Sequence, residues 1–191
     1  MRRMPLFIKA PMIAIIALFC FLAFSGNIKI IDNEKEYITL LFLQQRVLDF
    51  AQKYSGRDVI VVSKKDHLLF YCRDGKIVKN DYWNGFNVSF PVKVSLASRY
   101  FFTPEGEMFI DAKNANSRYT LFLKLSVPSA YGIHGASTRL ASHLDKMETI
   151  NPNYSFVTKK DDTRGCVAVE NRVIKYLFAK VDVNTPVLIM P

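Results

Sequence analysis

From Gly56 onward the apolar residues recur at every second position instead of every third or fourth, and that period confines the rest of the chain to a mainly β domain. Val59–Ser63 and His67–Cys72 are rich in β-branched and aromatic residues and are separated by Lys64, Lys65 and Asp66. Asp74-Gly75 suits a two-residue hairpin turn, whose central residues need positive φ, and predicts a returning strand over Lys76–Trp83. Further strands are expected near 88–97, 107–112 and 119–126, broken at Gly85, Pro104-Glu105-Gly106 and Asn114–Ser117. The last third reads as a short segment Tyr131–Gly135, a polar loop from 136 to about 162, and the segment Thr163–Val169. A short helix over 171–180 and a strand Thr185–Met190 complete it.

Ahead of this domain the period is helical. Leu40, Leu43, Val47, Ala51 and Tyr54 recur every three to four residues, Asn33 and Glu36 have capping-box spacing, and Gly56 is a stop, so a helix is expected over 34–54. Arg2, Arg3 and Lys9 precede the apolar stretch Ala10–Phe24, which ends in a small-x-small site, Ala23-Phe24-Ser25. That pattern reads as a secretory signal or, if uncut, a signal anchor. Either delivers the domain outside the cytoplasm, to the periplasm or the outer face of the cytoplasmic membrane. The expected organisation is signal peptide or anchor over 1–25, helical linker over 26–56 and a β domain over 57–191.

Half of the 191 residues are apolar and 23% are charged, enough to build a core and too apolar for a disordered chain. Lys and Arg outnumber Asp and Glu by 26 to 17, so the net charge of +9 favours anionic surroundings. Nucleic acid is a poor fit: the lysines are scattered and no glycine-rich phosphate loop exists. No CxxC or HxxxH spacing supports a metal, and no cofactor is expected. Three cysteines are too few for a disulfide scaffold. Cys20 falls in the apolar stretch, after a Phe19 too bulky for a lipoprotein cleavage box. A bond between Cys72 and Cys166 would silence any chemistry at Cys166.

Two segments carry candidate chemistry. Cys166 stands in Thr163-Arg164-Gly165-Cys166-Val167, just before the expected helix. Gly165 permits close backbone approach, Arg164 adds positive potential, and a helix N-terminus favours a thiolate. His134 lies between Gly132-Ile133 and Gly135 at the end of a strand and could act as base if the fold brings it to the thiol, within about 2.6–3.2 Å. His67 and His143 have no evident partner and read as solvated.

These pieces resemble the L,D-transpeptidase catalytic domain (YkuD-type) over roughly 57–191. Leu68–Tyr71 with the Asp74-Gly75 turn, Thr103-Pro104-Glu105-Gly106, Ile133-His134-Gly135, Thr163-Arg164-Gly165-Cys166 and Asn184-Thr185-Pro186-Val187 follow the family's order. The resemblance implies a β-sandwich-like fold with a short helix after the nucleophile. Cys166 would be the nucleophile and His134 the general base. The Gly135 carbonyl would orient the ring, and amides near Gly165 and Cys166, within the Thr163–Cys166 motif, would form the oxyanion hole. It implies attack on peptidoglycan stem peptides through an acyl-thioester. The acceptor would be a stem amine, an anchored protein, or water, which makes the same site a carboxypeptidase or amidase. A sortase-like transpeptidase and a non-catalytic wall-binding module are the alternatives. Ala168 stands where many members carry Arg or Asn, and Arg164 where a histidine is frequent. The 135–162 stretch is longer than usual and, with Arg139, His143, Lys146, Lys159 and Lys160, could form a lid.

Overall fold

The computed structural model describes residues 28–151, 154–155, 157 and 161–191 and, within its first helix, side chains from Tyr37 onward. Residues 1–25, expected to form the signal or anchor, and Lys159 and Lys160 lie outside the described residues. Among the described residues no helix is long and apolar enough to cross a membrane. Contacts divide the chain into residues 1–46 and Val47–Pro191.

Helix α1 runs over Ile28–Lys53, starting upstream of the capping box expected at Asn33. In its last turns Val47, Phe50 and Ala51 are buried at helical spacing. Lys53 and Tyr54 bond to Glu107, and Tyr54 meets Phe109 edge-on, with ring centroids 6.4 Å apart.

Among the described residues eleven strands follow: β1 (Asp58–Ser63), β2 (Leu68–Arg73), β3 (Lys76–Ile77), β4 (Asn80–Trp83), β5 (Phe86–Ser89), β6 (Val92–Lys93), β7 (Gly106–Asn114), β8 (Phe122–Leu125), β9 (Gly132–His134), β10 (Val167–Ala168) and β11 (Pro186–Met190). The Asp74-Gly75 turn has positive φ at both residues, as its sequence demands, and Asn84-Gly85 repeats the device between β4 and β5. The single strand expected over Lys76–Trp83 is two, β3 and β4, and the one near 88–97 is interrupted at Phe90-Pro91.

The main sheet has the order β10-β9-β8-β7-β11-β1-β2-β3, with β6 also on β2, while β4 and β5 form a separate hairpin. β1 lies between β11, parallel, and β2, antiparallel. Val59–Val62 are all fully buried although successive side chains point to opposite faces, so both faces of β1 are covered, which explains the unbroken apolar run. After β6 the chain leaves β2, where the Val94 N–H donates to the His67 carbonyl, and joins β10. There Ser95 and Ala168 exchange two backbone hydrogen bonds of 2.9 and 3.0 Å. This segment links the two ends of the strand order, so the sheet curls round its core.

Two further helices flank the sheet. Helix α2 (Thr138–Ile150) occupies the first half of the stretch expected as a polar loop over 136–162. Its inward face is narrow, burying Leu144 and Glu148 alone, so it left little apolar rhythm to read. Helix α3 (Asn171–Lys180) falls where its sequence placed it. It inserts Val173, Ile174, Tyr176 and Leu177 into the core, each such burial stabilising by roughly 1.5–3 kcal/mol. Tyr176 meets Tyr71, Phe90 and Trp83 at 5.5, 5.7 and 6.1 Å and donates its hydroxyl to Asp81 at 2.7 Å.

Candidate active site

The short parallel pairing of β9 with β10 assembles the site from segments far apart in sequence. Val167 pairs with Ile133 and Ala168 with His134. Cys166 immediately precedes that ladder. Ala168 and His134 are paired and so face one side of the sheet, and Cys166, two residues before Ala168, leads into β10 on that side by the alternation of side chains.

His134 is 4% exposed. Its Nδ1 lies 2.7 Å from the Gly135 carbonyl, which can only accept, so the proton sits on Nδ1 and Nε2 carries the lone pair. Among the described residues Nε2 has no hydrogen-bond partner. The ring is clamped by Tyr119, stacked at 3.7 Å and 15°, with Phe122 6.1 Å away. Gly135 has no room for a side chain: a Cβ there would come within 2.7 Å of Ile174 and 2.8 Å of Asn171. At Gly132 a Cβ would meet the Phe122 ring at 2.4 Å and the Leu123 carbonyl at 2.5 Å.

Cys166 is partly exposed and, like Cys72, a free thiol. Cys72 sits in β2 with no exposure, its thiol pushed up to about 12 by burial, so the bond that would have silenced Cys166 is absent. The Cys166 Sγ points toward the Ala130 carbonyl at 3.7 Å. Thr163 shapes the approach: its Oγ1 donates to the Cys166 carbonyl at 2.7 Å and accepts the Gly165 N–H at 3.2 Å. The Gly165 amide is thus engaged by Thr163. Gly165 takes φ +117°, and a Cβ on it would strike the Tyr131 ring at 2.1 Å. Arg164 points outward and lies over the Phe101 ring at 5.7 Å, away from any direct role at the sulfur.

Burial pushes the Cys166 thiol up, partly offset by the Gly132 amide and the Arg118 charge. Burial pushes the His134 imidazole down; the Gly135 carbonyl and Asp162 oppose this, while Arg118 adds to it. Both groups are therefore neutral at rest, and they are not hydrogen-bonded to each other, so the expected approach within about 2.6–3.2 Å is not made: Nε2 has no partner among the described residues and Sγ faces the Ala130 carbonyl. Arg118, which acts on both, and Tyr119 went unnoticed in the sequence, because only tertiary pairing brings the 118–119 segment to the site. Asn171 was likewise missed. With no exposure, its Oδ1 accepts the Ala136 N–H at 2.8 Å and its Nδ2 donates to Asp145 at 3.0 Å, tying the end of β9 to α2 and α3.

His67 is not solvated as expected: its Nε2 lies 3.0 Å from Asp161, which also accepts the Leu96 N–H. His143 is exposed on α2. Among the described residues no cluster of three metal-ligating side chains exists.

The curled β domain thus carries an imidazole at the end of β9 and a free thiol at the entry to the paired strand β10. The family model for the L,D-transpeptidase catalytic domain, YkuD, matches residues 57–189, and the chain belongs to that family. No curated protein matches it. Among solved structures it resembles L,D-transpeptidase 3 from Mycobacterium tuberculosis in complex with a faropenem-derived adduct. That pair is 14% identical over 70% of this chain and 60% of that one, with a TM-score of 0.51. An L,D-transpeptidase from M. tuberculosis H37Rv is similar at 14% identity, 70% and 57% coverage and a TM-score of 0.50. The chain thus spans 57–60% of the length of these two structures.

Proposed function

We propose that the protein is a cell-wall cysteine acyltransferase that acts on peptidoglycan stem peptides from outside the cytoplasm. The observation that carries this reading is the buried lone pair of His134 Nε2, without a hydrogen-bond partner among the described residues, on the strand paired with the one that Cys166 leads into. A ring nitrogen with its lone pair uncommitted is suited to accept a proton.

In this mechanism a stem carbonyl reaches Sγ, Nε2 removes the thiol proton as the S–C bond forms, and the Cys166 amide receives the oxyanion. The imidazolium then protonates the departing amine of the D-residue, leaving an acyl-thioester. An incoming amine completes a transpeptidation, and water a carboxypeptidase reaction. Because the resting pair is neutral, proton transfer accompanies attack and no thiolate is stored beforehand.

Incubating the purified protein with defined disaccharide-tetrapeptides and analysing the products by mass spectrometry tests the reading. Crosslinked or exchanged stems, or trimmed tripeptides, are expected and must vanish in Cys166→Ala. Unchanged stems with the intact protein would refute it.

A further inference from the structure

The segment that leads into Cys166 is clipped to residues 95–98. The Thr163 N–H donates to the Leu96 carbonyl at 3.0 Å, and the Thr163 carbonyl accepts the Ser98 N–H at 2.9 Å. Asp161 accepts the Leu96 N–H and Asp162 the Ser95 hydroxyl, each at 2.9 Å. His67, in the turn between β1 and β2, grips both sides of this clip. Its carbonyl accepts the Val94 N–H at 3.0 Å, and its Nε2 lies 3.0 and 3.1 Å from the two carboxylate oxygens of Asp161. A carboxylate only accepts, so Nε2 carries the proton and donates. The other charges of the turn are engaged elsewhere, Lys64 with Glu105 and Asp66 with the Ser63 hydroxyl. His67 also holds φ +54°, in the left-handed region where Gly and Asn sit with least strain. Gly has no donor and Asn a shorter one, so a strained backbone is kept here together with the reach of an imidazole.

We propose that His67 is a positioning residue for the nucleophile: through Asp161 it fixes the turn that presents Cys166 to the acyl donor. The inference rests on the acyltransferase reading above and adds to it a residue outside the Cys166–His134 pair. The links run from the imidazole to Asp161, from Asp161 to the Leu96 amide, from the Leu96 carbonyl to the Thr163 amide, and from Thr163 Oγ1 to the Cys166 carbonyl. Three of these links end on main chain, so a displacement at Asp161 passes along the clip with little side-chain slack to absorb it. The backbone of Cys166 sets the line along which Sγ meets a carbonyl, and a misplacement of about 1 Å there can slow a reaction by about 10²-fold. His67 thus supplies direction to the sulfur and leaves proton transfer to His134.

The test follows acyl-enzyme formation on the full chain by quenched-flow intact mass, with a disaccharide-tetrapeptide donor and no amine acceptor. Unfolded molecules lower the amplitude of the acyl signal, whereas a misaligned sulfur lowers its rate constant. His67→Asn relaxes the backbone and cannot reach Asp161. Its thermal midpoint should be retained while the rate constant at saturating donor falls about tenfold, with the KM for the donor changed far less. His67→Gln, whose amide N–H reaches nearly as far as Nε2, should recover most of the rate. His67→Phe, which keeps a ring and removes the donor, should be as slow as His67→Asn and decides the matter if that variant fails to fold. A rate constant unchanged in His67→Asn and His67→Phe, whatever their amplitudes, overturns the positioning role and leaves the acyltransferase reading intact. An equal loss in His67→Gln overturns it too. Absence of both acyl-enzyme and product in the unaltered protein overturns the acyltransferase reading and this inference with it.

Discussion

At Cys166 and His134 burial works in opposite senses on the two titrating groups, raising the thiol and lowering the imidazole, and both shifts keep the pair uncharged. The base is competent only while Nε2 is unprotonated. Activity should therefore persist below the ordinary imidazole value of 6.5 and fall as acid protonates His134, with no requirement for alkali to ionise the thiol. A pH–rate profile of kcat/KM checks this, and a limb rising only above pH 8 would contradict it. His134→Gln should cost about 10²–10⁴-fold in acylation rate with the fold retained, read by stopped-flow with a chromogenic acyl donor. Gly165→Ala should lose both stability and activity, since φ +117° and the Tyr131 ring leave no place for a methyl group. Its thermal midpoint and acylation rate, measured together, report the two losses.

The elements around the site hold it through few bonds, and Asn171 makes several of them. Opening α3, it answers Ala136 after β9 and Asp145 on α2 from one fully buried amide. Asn171→Ala should cost roughly 1–3 kcal/mol for each buried group left without a partner, measured by denaturant unfolding. It should also loosen α2, seen as faster amide exchange over 138–150; exchange confined to α3 would argue against this linkage. The same elements mark how far the sequence could be read. The Asp74-Gly75 turn, the run Val59–Val62 and helix α3 were legible because their cause is local: a turn's φ, a strand's burial, a helix's apolar stripe. Helix α2 was not, because one of its two buried residues is Glu148 and Ser137 makes no side-chain cap. Nor was the pairing of His67 with Asp161, 94 positions away, or the ladder that sets Cys166 beside His134.

Across the whole molecule, stability is coupled to pH by a buried carboxyl that takes no part in the proposed chemistry. Glu148 on α2 is pushed from its ordinary 4.5 up to about 7, first by burial, then by Glu170; Asp145 adds to the rise and Arg172 opposes it. The folded protein therefore binds more protons than the unfolded chain between about pH 4.5 and 7, so stability should decline as pH rises through that window. Glu148→Gln should flatten the decline and raise the melting temperature at pH 8; an unchanged slope would show that Glu148 is already solvated. The molecule's central claim, a sulfur nucleophile served by a neutral imidazole, is open to one direct measurement. The full chain is incubated with a disaccharide-tetrapeptide, quenched in acid and digested for peptide mass mapping. The account predicts an acyl mass on the peptide containing Cys166, lost in Cys166→Ala and slowed in His134→Gln. An acyl group on any other residue, or acylation that survives Cys166→Ala, would contradict it.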